Sequence, residues 1–193
     1  EALLPSAWQE RVKSVNETRS YDEFLTEVLA EQPDGSSAAV FWRHHSIAAL
    51  IRLWTDVLPA DRVTVVVADE SDRAQLRRVS EQLLGLPAQL LTDGPAGNAS
   101  LSWNRVEFYR ALNRASVAHG WDRQRYRRLV YRGLLGGLAA AERGRDESAI
   151  PPLPAWAAPR VAELSEERLR DVVDSGVRVV GDPSQLLSPG AGD

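Results

Sequence analysis

The stretch Arg62-Val63-Thr64-Val65-Val66-Val67-Ala68 is followed by an acidic turn, Asp69-Glu70-Ser71-Asp72, and by a helix-patterned run that closes at Leu84-Gly85-Leu86-Pro87. A short continuous run of β-branched residues predicts a strand that is buried on both faces, as in the interior of a parallel sheet. The turn and the helix after it, which runs through Leu76, Val79, Leu83 and Leu84, complete a β-loop-α unit. Gly85 is predicted to end this helix in a left-handed cap. The stretch therefore predicts a doubly wound α/β fold.

The composition is that of a globular protein. The 193 residues are 44% hydrophobic and 26% charged, with a net charge of −4, and a chain of this length can bury a sizeable core. No apolar run approaches the roughly 18 residues that a membrane-spanning helix needs. The acidic balance argues against non-specific affinity for nucleic acid. We therefore expect no membrane span and no nucleic-acid partner. The sequence has no signal peptide and no cysteine, so we expect a cytoplasmic protein.

Missing residue types exclude several kinds of chemistry. There is no cysteine, which excludes disulfides, thiolate catalysis and cysteine-ligated metals. The three histidines are scattered along the chain, so they lack the spacing of a metal site and we expect no metal cofactor. There is also no methionine. We therefore expect the natural N-terminus to lie ahead of Glu1.

Helical spacing of apolar residues recurs along the chain. The sequence Ser20-Tyr21-Asp22-Glu23 is typical of a capping box and predicts a helix that starts there. Loops are predicted over 32–37 and 92–100, and a short strand or extended segment over 177–180. Further helices are predicted over residues 5–18, 46–58, 72–84, 102–118, 122–142 and 156–175.

The predicted strands are too few for a complete sheet. Parallel sheets need several strands that are covered on both faces. The missing strands are expected to precede Glu1. Because no internal repeat and no second domain is evident, we predict a single domain over residues 1–187 and a disordered tail over residues 188–193.

Seven segments, which are spread along nearly the whole chain, carry a family resemblance. They are Leu4–Glu10, Tyr21–Leu25, Phe41–Arg43, Leu58–Pro87, Asn98–Leu101, Tyr126–Val130 and Gly176–Asp182. In this order and spacing they resemble the C-terminal majority of sulfotransferases that use 3′-phosphoadenosine 5′-phosphosulfate (PAPS), and actinobacterial members in particular. The resemblance implies a three-layer, P-loop-like sulfotransferase fold, helix-rich and with a parallel sheet, whose N-terminal part is absent here.

The resemblance implies an enzymatic activity. In that family a sulfuryl group passes from PAPS, as co-substrate, to an acceptor hydroxyl or amine, and here a small molecule or a glycolipid would be the acceptor. The transferred group gathers negative charge and needs cations and N–H donors around it. In the family an N-terminal glycine-rich loop grips the phosphosulfate, and this sequence has no such loop. We therefore expect the chain to be incomplete or inactive alone, and no catalytic residue is assigned.

The resemblance also implies residues that hold the nucleotide. In the family an arginine at a strand end and a serine eight positions later on the next helix hold the 3′-phosphate. Ser6 falls at the position of that serine, and the arginine would lie just upstream of Glu1. The first turn of a helix is a ready anion site, although Ser6 could instead be a solvated or capping serine. Asn98 and Ser100 match an Asn-x-Ser phrase that lies near the nucleotide in some members, with turn formation as the alternative.

Other polar residues have structural explanations as well as functional ones. His44 or His45 could act as a general base near neutral pH, but the base of the family comes earlier in the chain, which favours surface or helix-entry histidines. His119 lies in a predicted loop. Asp69 and Glu70 follow the predicted strand, where open α/β sheets place ligands, whereas a structural role such as capping the next helix is the favoured interpretation.

A dense basic cluster occupies residues 121–132. Taken alone, its arginines and interleaved aromatic residues resemble a nucleic-acid or phosphate face. The apolar residues fall on the other side of the predicted helix, so a solvated, partly salt-bridged face is the simpler interpretation. The arginines of this cluster are Arg123, Arg125, Arg127, Arg128 and Arg132.

Two alternatives to a sulfotransferase remain open. One is a non-catalytic sulfotransferase-like interaction module, and the other is an arginine-rich helical nucleic-acid binder.

Overall fold

A computed structural model of the chain describes residues 3–14, 17–30, 36–69, 71–72, 74–92, 101–134 and 149–188. The chain divides into two compact units, and each unit is assembled from two separate stretches of sequence. The first unit takes residues 1–30 and 99–154, and the second takes residues 31–98 and 155–193.

Along the chain, a group of elements from the first unit is followed by a group from the second, and this order then repeats once. Helices α1 (Leu3–Ser14), α2 (Tyr21–Val28), α6 (Trp103–Ala118) and α7 (Arg123–Tyr126), with the π-helix Arg127–Leu134, belong to the first unit. The second unit contains helices α3 (Ser36–His45), α4 (Ile47–Thr55), α5 (Gln75–Leu84) and α8 (Ala158–Asp174), strands β1 (Thr64–Val66) and β2 (Arg178–Val180), and 3₁₀ turns at Ala60–Arg62 and Pro183–Leu186.

The first unit packs its helices around an aromatic core. Trp8 of α1 is fully buried, and its ring centroid lies 5.3 Å from that of Tyr21 and 5.8 Å from that of Trp103. The predicted capping box opens α2, since the Ser20 hydroxyl accepts from the Glu23 N–H and the Glu23 carboxylate accepts from the Ser20 N–H. The apolar side of α2, with the residue that follows it, is buried, and it consists of Phe24, Leu25, Val28 and Leu29.

A buried amide ties the two sequence stretches of the first unit together. Asn113 of α6 is fully buried, and its Nδ2 donates to the carbonyl oxygens of Val12 at 2.9 Å and Glu17 at 2.8 Å. Its Oδ1 accepts from the Tyr126 hydroxyl at 2.5 Å. Burial, reinforced by the neighbouring Tyr109, raises the pKa of Tyr126 to about 12. The phenol therefore keeps its proton and remains a donor at neutral pH.

An ion-pair cluster around Glu17 fixes the connection between α1 and α2. The Glu17 carboxylate accepts from Arg11 Nε at 3.2 Å and from Arg19 Nη2 at 2.5 Å, and Arg19 also pairs with Glu27. Burial by itself raises the pKa of Glu17, but the hydrogen bonds and the charge of Arg19, with a smaller contribution from Arg11, lower that pKa to about 2. Glu17 is therefore ionised throughout the neutral range.

We expect the Glu17 carboxylate to make the first unit sensitive to acid. Folding lowers the pKa of Glu17 from 4.5 to about 2. The stabilisation of the fold by the ionised carboxylate is therefore complete above the unfolded-state pKa and is lost as the pH falls through the folded-state pKa. Between about pH 5 and pH 2, the wild type should lose about 2–3 kcal/mol of unfolding free energy relative to Glu17→Gln, measured by urea denaturation. Glu10→Gln, which removes an exposed carboxylate of α1, should leave this pH dependence in place. Equal pH profiles for the wild type and Glu17→Gln would contradict the assignment.

The second unit contains a parallel strand pair. β1 and β2 are neighbours in register, with Val66 opposite Val180. The Val67 N–H continues the ladder by donating to the Val180 carbonyl oxygen at 2.8 Å. Gly181 follows with a φ of +101°, and a Cβ there would lie 2.3 Å from the Val67 carbonyl oxygen. Both the backbone conformation and the close approach therefore require glycine at this position.

The core of the second unit lies where α4 and α8 meet the strands. Ile51 of α4, Val172 of α8 and Val177 are buried in one cluster, and half-buried valines of both strands pack against it. Gly85 ends α5 with a φ of +64°, which confirms the predicted left-handed cap. Of the apolar residues at helical spacing in α5, Val79 is buried, whereas Leu76, Leu83 and Leu84 are exposed.

The structure confirms a helix-rich α/β chain with a parallel two-stranded sheet, and it corrects several details. β1 is three residues long. It is only half-buried, since β2 is its one neighbouring strand among the described residues. The prediction of a longer strand buried on both faces was therefore wrong. Helix α3, which includes residues 36–37 of a predicted loop, was missed. The helix predicted over 122–142 is described as far as Leu134 and winds as a π-helix from Arg127 onwards.

Some predictions fall on residues that the structure does not describe. These are most of the 92–100 loop and of the tail predicted over 188–193. The single domain over residues 1–187 stays a prediction. None of the helices in the described part of the chain combines the length and the apolar character needed to cross a bilayer.

Candidate functional site

The first component of the candidate site is the N-terminal half of α1, where Ser6 lies. Ser6 is exposed, and its hydroxyl makes no hydrogen bond to any residue that the structure describes. Pro5, just before it, is compatible with the start of a helix because it lacks an N–H that would need an acceptor. The Ser6 hydroxyl is thus accessible to a ligand.

Two contacts connect this part of α1 with the start of α6. Gln9, one turn after Ser6, is buried, and its Oε1 accepts from the Leu101 N–H at 2.9 Å. The rings of Trp8 and Trp103 stack next to this bond, at 30° between planes. Leu101 comes directly after Ser100 in the sequence. Its hydrogen bond to Gln9 therefore holds the residue that follows the predicted Asn98–Ser100 site next to the turn of α1 that follows Ser6.

The start of α6 has unused hydrogen-bonding groups. Ser102 occupies the N-cap position, but its side chain accepts no hydrogen bond from the first turn. Its Oγ is buried and has no hydrogen-bond partner among the described residues. The first N–H groups of any helix lack intrahelical acceptors, and the helix dipole makes that end favourable for negative charge. The start of α6, with Ser102, is therefore suited to an anion.

The two helices progress in the same general direction. Gln9 contacts the residue before the α6 cap, whereas Val12, further along α1, contacts Asn113, which lies more than two turns into α6. Their N-termini therefore lie at the same end of the first unit, and both helix dipoles are positive there. This end of the unit, which includes Ser6, Gln9, Leu101, Ser102 and Trp103, is called the α1/α6 end below.

The sequence-predicted site residues have different outcomes. Ser6 is found at the α1/α6 end, whereas Asn98 and Ser100 lie outside the described residues, so their predicted role stays a prediction. Gln9 and Ser102 were missed as contributors. For Ser102 there was a signal, since it is the first residue of the helix predicted over residues 102–118 and serine is a preferred N-cap residue. For Gln9 there was none, because its partner is 92 residues away.

The histidines are not part of the α1/α6 end. His45 ends α3 in the second unit, half-buried, with its ring centroid 4.6 Å from that of Phe41. Burial, with the charges of His44 and Arg168, lowers the pKa of His45, so the ring is neutral at physiological pH. His44 is exposed on the same helix, and His119 is exposed at the C-cap of α6. Their positions fit the structural interpretation.

Asp69 has a structural role, as predicted, but not as a helix cap. Its Oδ1 accepts from the Ser71 N–H at 2.8 Å and from the Ser71 hydroxyl at 2.6 Å, and these bonds lower the pKa of Asp69. Gln75 bridges the turn, since it accepts from the Asp69 N–H at 2.6 Å and donates to the Val67 carbonyl oxygen at 3.2 Å. Because α5 begins at Gln75 with no side-chain cap, the capping prediction was wrong. Glu70 lies outside the described residues.

The arginine cluster differs from its prediction in one respect. All five arginines, from Arg123 to Arg132, are exposed, as a solvated face requires. In the described part of the chain, however, no carboxylate lies within salt-bridge distance of them. The predicted salt bridges are therefore not found among the described residues. The guanidinium of Arg125 instead lies over the Trp121 ring, 5.0 Å from its centroid.

Comparisons with known proteins give no relative for this chain. No protein-family model, no curated protein and no solved structure matches the chain. Within the described ranges, no three His, Asp or Glu side chains are grouped so that they could hold a metal ion.

Proposed function

We propose that the chain belongs to a PAPS-dependent sulfotransferase with the three-layer, P-loop-like fold of that family. The reaction would transfer a sulfuryl group from PAPS, as co-substrate, to a hydroxyl or amine of a small molecule or a glycolipid. The ordered resemblance of seven segments supports this proposal, and so do the β-α unit formed by β1 and α5 and the parallel strand pair.

The observation that carries the proposal is the composition of the α1/α6 end. An accessible hydroxyl at Ser6 and an unpartnered buried hydroxyl at Ser102 occur at the start of two helices whose dipoles favour anions there. Gln9 connects the two helices through Leu101. A phosphorylated nucleotide offers the oxygen acceptors that such hydroxyl and N–H groups lack.

The proposed roles follow from the chemistry of each group. Ser6 would donate to the 3′-phosphate, and Ser102 with the first N–H groups of α6 would hold a second anionic group of the nucleotide, beside Asn98 and Ser100. Such donors cost no reorganisation when charge develops during transfer, because the helices already hold them in place. PAPS itself supplies the activated sulfuryl group. No general base is assigned among the described residues.

We expect Ser6→Ala to weaken binding of adenosine 3′,5′-bisphosphate by about tenfold or more, since a hydroxyl bonded to a charged phosphate contributes about 1.5–3 kcal/mol. Isothermal titration calorimetry of the intact chain measures this effect. Adenosine 5′-monophosphate, which lacks the 3′-phosphate, should bind equally weakly to the wild type and to the variant.

A second hydroxyl serves as the matched control. Thr26 is exposed on α2 of the same unit and donates to the Asp22 carbonyl within its own helix, so Thr26→Ala should leave nucleotide binding unchanged. If the wild-type chain does not distinguish the two nucleotides, or if Ser6→Ala binds the bisphosphate as tightly as the wild type, the proposed role of Ser6 is wrong.

One observation favours the non-catalytic interaction module as the second candidate. Helix α4 and the turn after it carry a stripe of apolar side chains at helical spacing that are 49–75% exposed. Exposed stripes of this kind are typical of surfaces that bind other proteins. The absence of any nucleotide binding in the calorimetric experiment would favour this candidate. The stripe consists of Leu50, Leu53, Trp54 and Val57.

A further inference from the structure

A strongly basic surface lies on the helical segment 123–134, in a chain whose net charge is −4. We call it the arginine face, and it consists of Arg123, Arg127, Arg128 and Arg132, all exposed. Two buried side chains anchor this segment to the rest of the first unit, those of Tyr126 and Val130. The segment is therefore held in place by its apolar side while its charged side is free to meet a partner.

The π-helical winding concentrates the positive charge. In a π-helix the backbone hydrogen bonds connect residues five apart, so Arg127 and Arg132 lie above one another on the same side. In an α-helix the same spacing would turn them well away from each other. Arg128, four residues before Arg132, shares that side. Three guanidinium groups are therefore grouped on one turn, although like charges at such spacings destabilise a helix.

No described carboxylate lies within salt-bridge distance of the arginine face. Glu17 pairs with Arg19 and Glu107 with Arg110, while Asp122 caps the segment by accepting from the Arg125 N–H at 2.7 Å. One capping carboxylate leaves most of this positive charge unbalanced, and a cluster of repelling cations on a rare helix type fits a polyanionic partner. Clusters of four or more arginines on an amphipathic helix are typical of binding to anionic lipid headgroups.

Apolar groups beside the arginines distinguish a lipid surface from a nucleic acid. Leu129, between Arg128 and Val130, is 43% exposed, and Trp121 is half-exposed beneath Arg125. A bilayer interface accepts both, because leucine enters the acyl boundary and tryptophan prefers the headgroup level. A phosphodiester backbone offers no apolar environment for Leu129. The surface therefore fits a membrane better than a nucleic acid.

We propose that the arginine face docks the protein peripherally on an anionic lipid bilayer, with Leu129 inserted shallowly between the headgroups. This proposal does not depend on the nucleotide site at Ser6. It is nevertheless compatible with a glycolipid acceptor, which would be presented at the same surface.

The test uses sedimentation of the intact protein with two kinds of vesicles, phosphatidylcholine alone and phosphatidylcholine mixed with phosphatidylglycerol. We expect binding to the mixed vesicles only, and binding should weaken as the salt concentration rises. The triple variant Arg127→Gln/Arg128→Gln/Arg132→Gln should bind roughly 150-fold more weakly, since each arginine near an anionic surface contributes about 1 kcal/mol. Leu129→Ala should bind about three- to tenfold more weakly, because less apolar surface enters the bilayer.

A control with the same change in net charge isolates the position of the arginines. Arg43, Arg52 and Arg62 are exposed in the second unit, and their triple replacement by Gln should leave vesicle binding within about twofold of the wild type. An equal loss in this control would overturn the proposal, because the effect would then come from net charge alone. No binding of the wild type to the mixed vesicles would also overturn it, and so would tighter binding to duplex DNA that Leu129→Ala leaves unchanged.

Discussion

Trp8→Ala is expected to lower the free energy of unfolding of the first unit by about 3–5 kcal/mol. Trp8 is fully buried and contacts both Tyr21 and Trp103, so alanine leaves a cavity where α1, α2 and α6 meet. The variant also loses the Trp8 Nε1 hydrogen bond to the Arg19 carbonyl oxygen, which is 3.3 Å long. Because a domain is stable by only about 5–15 kcal/mol, much of the stability of this unit would be lost.

Urea denaturation followed by far-ultraviolet circular dichroism measures the effect of Trp8→Ala without relying on tryptophan fluorescence. Trp54 provides the control, since it is 51% exposed on α4. Trp54→Ala removes the same side chain and should change the unfolding free energy by less than about 1 kcal/mol. Similar losses in the two variants would show that the Trp8 cluster is not the centre of the core.

Asn113→Ala is expected to destabilise the protein by about 3–5 kcal/mol, because it leaves the carbonyl oxygens of Val12 and Glu17 and the hydroxyl of Tyr126 without their partner inside the fold. The cost exceeds that of one hydrogen bond, since each of these groups has already been removed from water. Asn113→Asp should be no better tolerated, because a carboxylate has no N–H groups to donate to the two carbonyl oxygens.

The control for Asn113 lies on the same helix. Asn104 is exposed in the first turn of α6, so Asn104→Ala should change the unfolding free energy by less than about 0.5 kcal/mol. Thermal unfolding followed by circular dichroism compares the variants. A melting temperature for Asn113→Ala close to that of Asn104→Ala would contradict the role of Asn113 as the tie between the two stretches of the first unit.

Local signals in the sequence predicted much of the secondary structure. The capping box at Ser20–Glu23 and the left-handed glycine at Gly85 depend on a few neighbouring residues, and both are found as predicted. The β-branched run and the segment near residue 178 are both strands, and they pair in parallel. Such features can be read from sequence because their causes lie within one or two turns of chain.

Features that depend on distant partners could not be predicted. The start of α3 falls in a stretch rich in Pro, Asp, Gly and Ser, residues 33–37, which was interpreted as a loop. The exposure of Leu76 and Leu83 depends on what packs against α5, which helical periodicity does not specify. The shift from α- to π-winding at Arg127 likewise has no counterpart in the spacing of apolar residues.

The candidate site shows the same division. Ser6 was identified from the family resemblance. The helix predicted to begin at Pro5 is present as α1, and Ser6 is exposed on it. Its neighbours Gln9 and Leu101 meet across 92 positions of sequence, a distance at which no local pattern operates. The predicted contribution of Asn98 and Ser100 remains a prediction, since the structure does not describe them.

The interleaving of the two units along the chain bears on how the protein is made. During translation α1 and α2 leave the ribosome before α6, and residues 31–98 of the other unit must be synthesised in between. At about 5–20 residues per second this delay lasts several seconds. During the delay Trp8 lacks Trp103, and the nascent chain exposes the aromatic surface that α6 later covers. A chaperone that shields aromatic side chains would therefore protect α1 and α2 at this stage.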